Sequence, residues 1–98
     1  MYEIRRTEEF ILWLDRLRDA RARVRILSRL DRVAEGNLGD TKSVGETVSE
    51  LRINYGAGYR IYYTKRRNVV IVLLIGGDKS TQEKDIKRAI QLARNLDE

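Results

Sequence analysis

Apolar residues change their spacing along this chain, and each change marks an expected element. Residues 2–6 (YEIRR) read as a short strand. Phe10, Trp13, Leu14 and Leu17 then recur at helical intervals, which makes Trp13 a core residue rather than a functional one. Thr7 precedes them with Glu8 and Glu9, a helix N-cap followed by acids that suit the positive end of the helix dipole. A second helix is expected from Asp19 to Glu35. Its apolar face would carry Val24, Leu27, Leu30 and Val33 or Ala34, with Arg21, Arg25, Arg29 and Arg32 mostly on the other. Gly36 fits the C′ position. Residues 36–46 (GNLGDTKSVGE) show no periodicity and read as a loop.

Period-two patterning then takes over. Residues 47–53 (TVSELRI) and 59–64 (YRIYYT) alternate as strands around a turn at 54–58 (NYGAG). The tight connection KRRN (65–68) leads to VVIVLLI (69–75). That run is apolar on both faces, as a central strand covered on both sides would be. Ile86, Ala89, Ile90 and Ala93 supply the stripe of a last helix. The order β-α-α-β-β-β-α is an α+β fold: a small, twisted, mainly antiparallel sheet packed by helices. The chain is expected to form one domain over residues 1–98, and the first strand could join either edge of the sheet.

Composition narrows the chemistry. The 98 residues contain no Cys, His or Pro. Thiol nucleophiles, His-paired ribonuclease or hydrolase sites and most zinc sites are thereby excluded. No metal or cofactor is expected. The N-terminus lacks an apolar signal-peptide core and no run approaches a membrane span, so a cytoplasmic protein is expected. Twenty basic against fifteen acidic residues leave +5, which favours an anionic partner. Residues 36–79 hold seven Lys/Arg against four Asp/Glu and form the basic part.

Two stretches carry candidate chemistry. In LLIGGDKSTQEKDI (73–86), glycines precede Lys79-Ser80 at a strand end. A nucleotide-binding loop needs Gly directly before the Lys and another five residues earlier. Asp78 and Leu73 occupy those places. Ser80-Thr81-Gln82-Glu83 instead matches a capping box, with Ser80 as N-cap. Lys79 is not needed by that reading, and a cation there would help hold an anion at the free N–H groups. The second stretch is the hairpin. Pairing its apolar residues sets Arg52 opposite Arg60, and any register that keeps the core leaves both on one face. Facing like charges destabilise a sheet. Either Glu50 pairs with one of them, or the face is built for phosphate, which arginine grips bidentately. Tyr62 on that face and Tyr55 in the turn could stack on bases, and Lys79 could reach the same place. Such a set can stabilise charge during RNA cleavage by a 2′-hydroxyl. Lys79 is the candidate acid, with Glu50 or Tyr62 behind it.

FILWLDRLRD (10–19), GNLGDTKSVGETVSELRI (36–53), GYRIYY (58–63) and LLIGGDKSTQEKDIKRA (73–89) together resemble toxins of the RelE/ParE superfamily, in the branch of addiction-module killer proteins. The resemblance covers nearly the whole chain. It implies a type II toxin with an adjacently encoded antitoxin as partner. It further implies either a ribosome-dependent, metal-independent mRNA endonuclease that inhibits translation, with the ribosome and mRNA as partners, or a DNA gyrase poison. A noncatalytic RNA-binding module is a third reading. By the resemblance, Arg60 in GYR matches the arginine at the scissile phosphate, Arg52 in ELR matches a position on the same sheet, and Lys79 matches a basic residue after the last strand. Lys42 matches the branch's loop pattern and is placed with Tyr55 and Tyr62 among RNA-binding candidates. Thr47, Val48 and Ser49 stand where some members carry lysines, and the tail KRAIQLARNLDE lacks the Tyr or His that several have there.

Overall fold

The computed structural model describes residues 1–96. The strands are β1 (Glu3–Arg6), β2 (Thr41–Gly45), β3 (Val48–Ile53), β4 (Tyr59–Arg66) and β5 (Val70–Gly77). The helices are α1 (Glu8–Asp15), α2 (Ala20–Ala34) and α3 (Gln82–Arg94), and a 3-10 turn over Lys79–Thr81 precedes α3. The strands form one sheet in the order β1-β5-β4-β3-β2. Only β1, running parallel to β5, departs from antiparallel pairing. The α+β expectation stands, and the first strand takes the β5 edge.

The sheet has a core on each face. Ile53, Ile61, Tyr63, Ile71 and Leu73 pack with Phe10, Leu14, Ile26, Leu30 and Val33 of α1 and α2. Val48, Tyr62, Val72 and Leu74 pack with Ala89 and Ala93 of α3. Alternation along each strand produces this split, because successive side chains point to opposite faces. β5 feeds both cores, as its continuous apolar run predicts.

Local sequence sets the helix ends. Thr7 caps α1: its Oγ1 accepts from Phe10 N at 3.1 Å and donates to Leu74 O at 2.6 Å, tying helix to sheet. Asp19 caps α2 through Arg21 N and Ala22 N at 3.0 and 3.1 Å. Gly36 follows at φ +101°. Its N–H donates to Val33 O and that of Asn37 to Arg32 O, both at 2.9 Å, a Schellman cap.

Three expectations are corrected. Residues 41–45 are a strand, not loop: β2 pairs with β3 at the sheet edge with a bulge between Ser43 and Gly45. With Val44 as its single large apolar residue, this edge strand carries no period-two signal. The buried side of α2 is Ala22, Ile26, Arg29, Leu30 and Val33. Val24 is 66% and Leu27 37% exposed, so the apolar face is rotated from that expected. Ser80 does not cap the last helix. Asp78 accepts from Ser80 N at 2.8 Å and from its Oγ at 2.5 Å, and the chain makes the 3-10 turn before α3 begins.

The paired glycines also find a reason. A Cβ on Gly76 would lie 2.2 Å from the Trp13 ring, and one on Gly77 would lie 1.9 Å from Asp85 Oδ2. Each glycine admits a neighbour against the backbone, one from α1 and one from α3. The strand end is therefore clamped on both faces, which fixes where Asp78 and Lys79 emerge.

Candidate nucleic-acid interface

β3 and β4 set Arg52 directly opposite Arg60, as the hairpin reading predicts. Both lie with Glu50 on the sheet face towards α3. Glu50 pairs with Tyr62 on one side and Lys42 on the other. Lys42 thus reaches the same face, exposed on the edge strand.

Glu50 resolves the like-charge conflict. It is 1% exposed, with Oε1 3.6 Å from Arg60 Nε and Oε2 4.0 Å from Arg52 Nε. It serves both arginines, where the sequence suggests one. Gln82 Nε2, from the first turn of α3, donates to Oε1 at 3.1 Å. Arg52 has a second acid: Nη2 and Nε donate to Asp40 Oδ1 at 2.8 and 3.2 Å. That carboxylate raises the guanidinium pKa above its ordinary value, with Glu50 adding a smaller attraction.

Arg60 is held differently. Its side chain is 14% exposed and Nη1 donates to Gly58 O at 2.9 Å. Among the described residues its buried Nε has no hydrogen-bond partner. A Cβ built at Gly58 would lie 3.4 Å from Lys79 Cβ and 3.5 Å from Arg60 Nη1. Lys79 and the Arg60 guanidinium therefore flank one turn, and Lys79 N donates to Ala57 O at 3.3 Å across it. The fold thus sets Arg52, Arg60 and Lys42 on one sheet face, with Lys79 across the turn from Arg60.

The two tyrosines are not presented to solvent there. Tyr62 is 0% exposed, covered by α3, and cannot stack on a base. Its hydroxyl has no hydrogen-bond partner among the described residues. Burial, then the charges of Glu50 and Asp85, push its pKa well above the phenol range, which leaves it a neutral O–H. Tyr55 packs against the α1/α2 core, with the Arg25 guanidinium 4.4 Å from its ring centroid. It sits on the other side of the sheet from Arg60.

Three groups escape sequence reasoning. Gln82 figures in the sequence only as an interior residue of the capping-box match, and Asp40 lies in a segment without periodicity. Asp85 is 7% exposed and accepts from Thr81 Oγ1 at 2.6 Å. The glycine opposite it, Gly77, is the one available clue. Chemically, the face offers cations for phosphate oxygens, two of them sharing an internal carboxylate, and a buried O–H beside it. Among the described residues no helix is long and apolar enough to cross a membrane.

Residues 12–97 match the family described as "Phage derived protein Gp49-like (DUF891)". The chain is also 48% identical over 94 residues to a Haemophilus influenzae protein described as an uncharacterized protein, covering 96% of this chain and 95% of that one. The matched region of the family runs from α1 through α3 and includes every residue of the cationic face, so the chain belongs to the Gp49-like family of phage-derived proteins.

Proposed function

We propose that this protein is the toxin of a type II toxin–antitoxin system and acts as a ribosome-dependent mRNA endonuclease of RelE/ParE type. Family membership and the resemblance of its segments to addiction-module killer proteins support the toxin class. One observation carries the nuclease reading: Arg60 faces Arg52 on an α3-side sheet face, with Lys79 across a shared turn.

A phosphate approaching that end meets Arg60 and Lys79 together. Arg60 is the charge-stabilising group at the scissile phosphate, because its fork can replace the weak 3.6 Å approach to Glu50 with direct bonds to phosphate oxygens. Arg52, already bonded to Asp40, supports the field and the register of the face. Lys79 is the exposed proton donor to the leaving oxygen. Lys42 guides the backbone of the RNA along the edge strand. Tyr62 acts from within, as part of the packing under Arg60.

The test is mapping of mRNA 5′ ends in a cell-free translation reaction, comparing wild type with Arg60→Ala. Cuts inside translated codons, absent on naked RNA and reduced ~100-fold or more in the variant, are expected for loss of a transition-state donor. Intact mRNA with the wild-type protein would refute the nuclease reading, and gyrase supercoiling would then be assayed.

A further inference from the structure

Two donors are buried on the α3 side of the sheet and neither is bonded. Among the described residues, Arg60 Nε and Tyr62 Oη have no hydrogen-bond partner. The two side chains share a face, because alternate residues of β4 point the same way. Unpaired buried donors are costly and uncommon. Here acceptors are at hand, since a buried carboxylate stands on either side. Glu50, 1% exposed, is the cross-strand partner of Tyr62. Asp85, 7% exposed, fills the space of a side chain at Gly77, the residue paired with Arg60 on β5. Burial, then the charges of Glu50 and Asp85, raise the Tyr62 pKa, and the charge of Arg60 opposes them.

Both carboxylates are bonded instead from the start of α3. Gln82 Nε2 donates to Glu50 Oε1 at 3.1 Å, and Thr81 Oγ1 donates to Asp85 Oδ2 at 2.6 Å. Among the described residues, Gln82 is the one hydrogen-bond donor to the Glu50 carboxylate. The same Oε1 lies 3.6 Å from Arg60 Nε, and Oε2 lies 4.0 Å from Arg52 Nε. Attraction between unlike charges draws both arginines toward Glu50, yet a neutral amide holds the hydrogen bond. Its position explains this. Separate contacts fix where the helix begins: Asp85 lies against Gly77, and Asp78 accepts from Ser80 N. The amide is thereby held in place and the Glu50 carboxylate comes to it.

We propose that Gln82 is a positioning residue for Arg60: its amide holds the Glu50 carboxylate toward α3, out of hydrogen-bond reach of Arg60 Nε, and so leaves the arginine without a bonded acid. Arg60 stays beside a negative group that balances its charge. An incoming anion, however, has no charge-assisted hydrogen bond to break before it can use the guanidinium. Without the amide, an approach of about 0.6 Å would bring Oε1 and Nε to ordinary bonding distance, and both would gain the partner they lack. That the anion is a scissile phosphate rests on the nuclease reading; the hold on Arg60 does not.

The test is Gln82→Met, which keeps the length of the side chain and removes its donor. In ¹⁵N-labelled protein, the Arg60 Nε–H signal is assigned by its loss in Arg60→Ala. In Gln82→Met it should move downfield and exchange more slowly with water. Affinity for a single-stranded RNA oligonucleotide should fall ~10-fold or more, the worth of one hydrogen bond from a charged donor. In a Glu50→Gln background the same change should alter affinity by no more than about 2-fold, because Gln82 acts through that carboxylate. An Arg60 Nε–H signal unmoved by Gln82→Met would overturn the proposal even if stability falls, since packing alone then accounts for the residue. So would unchanged RNA affinity, or an equal loss in the Glu50→Gln background, which would mean that Gln82 meets the RNA itself. Should the double variant fail to fold, the signal and the affinity of the single variant decide. The nuclease reading is judged apart: wild-type protein that leaves mRNA intact in the translation reaction refutes it, whatever Gln82→Met does to Arg60.

Discussion

Arg29→Met is the sharpest perturbation of how the fold supports the candidate face. The guanidinium joins α2 to three backbone carbonyls, those of Leu38, Asp40 and Arg52, with every distance between 2.7 and 3.1 Å. Methionine keeps most of the apolar stem and removes all donors. Bonds from a charged donor contribute about 1.5–3 kcal/mol each. Gly39 and Asp40 are exposed, so water can reach part of that segment and the losses do not add fully. About 3 kcal/mol is expected. For a chain of this size, that lowers the melting temperature by roughly 12–24 °C. The assay is urea unfolding, read as a shift in midpoint at unchanged slope. Arg32→Met, exposed on the same helix, is the control and should change stability by no more than about 0.5 kcal/mol. Arg29→Lys should recover little, because one ammonium cannot reach carbonyls spread around a planar fork. A loss under about 1 kcal/mol for Arg29→Met would show that the carbonyls find water as good a partner, and would remove the tie between α2 and the Arg52 strand.

Two other changes test the polar cluster itself. Tyr62→Phe removes a buried hydroxyl that has no partner, so stability at pH 7 should stay level or rise by up to about 1 kcal/mol. The folded-state pKa of Tyr62 is raised by burial. Its contribution is therefore fully present below the unfolded value of about 10 and is lost as pH rises beyond it; urea midpoints measured across that range should fall less in the Phe variant. Glu50→Gln leaves Arg52 and Arg60 opposite each other without their shared carboxylate. Stability should drop by about 3 kcal/mol, while binding of a single-stranded RNA oligonucleotide tightens and its log–log salt slope steepens by about 0.7. An unchanged slope would mean that Arg60 stays folded inward and does not meet phosphate.

The elements that were legible are those whose signal is local. The Arg52–Arg60 pairing follows from alternation plus a five-residue turn, and nothing tertiary alters it. Thr7 caps as its position suggests, and Asp19, expected as the first residue of the second helix, is its N-cap. What was illegible depends on partners distant in sequence. Tyr62 sits at an odd-looking polar-face position and becomes core only because α3, twenty residues on, lies across it. The buried side of α2 was masked because two of its members give no hydrophobic signal: Ala22 is small, and Arg29 is charged yet 8% exposed. β2 was missed because an edge strand needs pairing partners on one side only and can be built from Thr, Lys, Ser and Gly. Ser80 lost its cap to Asp78, one 3-10 turn earlier, because the Gly77–Asp85 approach dictates where α3 begins.

Glu50 joins these threads. In the sheet it prevents two facing arginines from destabilising the hairpin, and through Gln82 it fastens the start of α3. At the proposed site it is also the group a phosphate must outcompete for Arg60. The two roles pull in opposite directions: stronger pairing would stabilise the fold and withhold the arginine. The geometry sits between them, since the Arg60 Nε to Glu50 distance of 3.6 Å is beyond an ordinary hydrogen bond, whereas Arg52 meets Asp40 at 2.8 Å. An ion pair this loose keeps charge balance without using up the donor. Arg52 thus has a hydrogen-bonded carboxylate in Asp40, while Arg60, 14% exposed, meets only Glu50 among the described carboxylates and beyond hydrogen-bond range, a division that the sequence, with two equivalent-looking arginines, does not reveal.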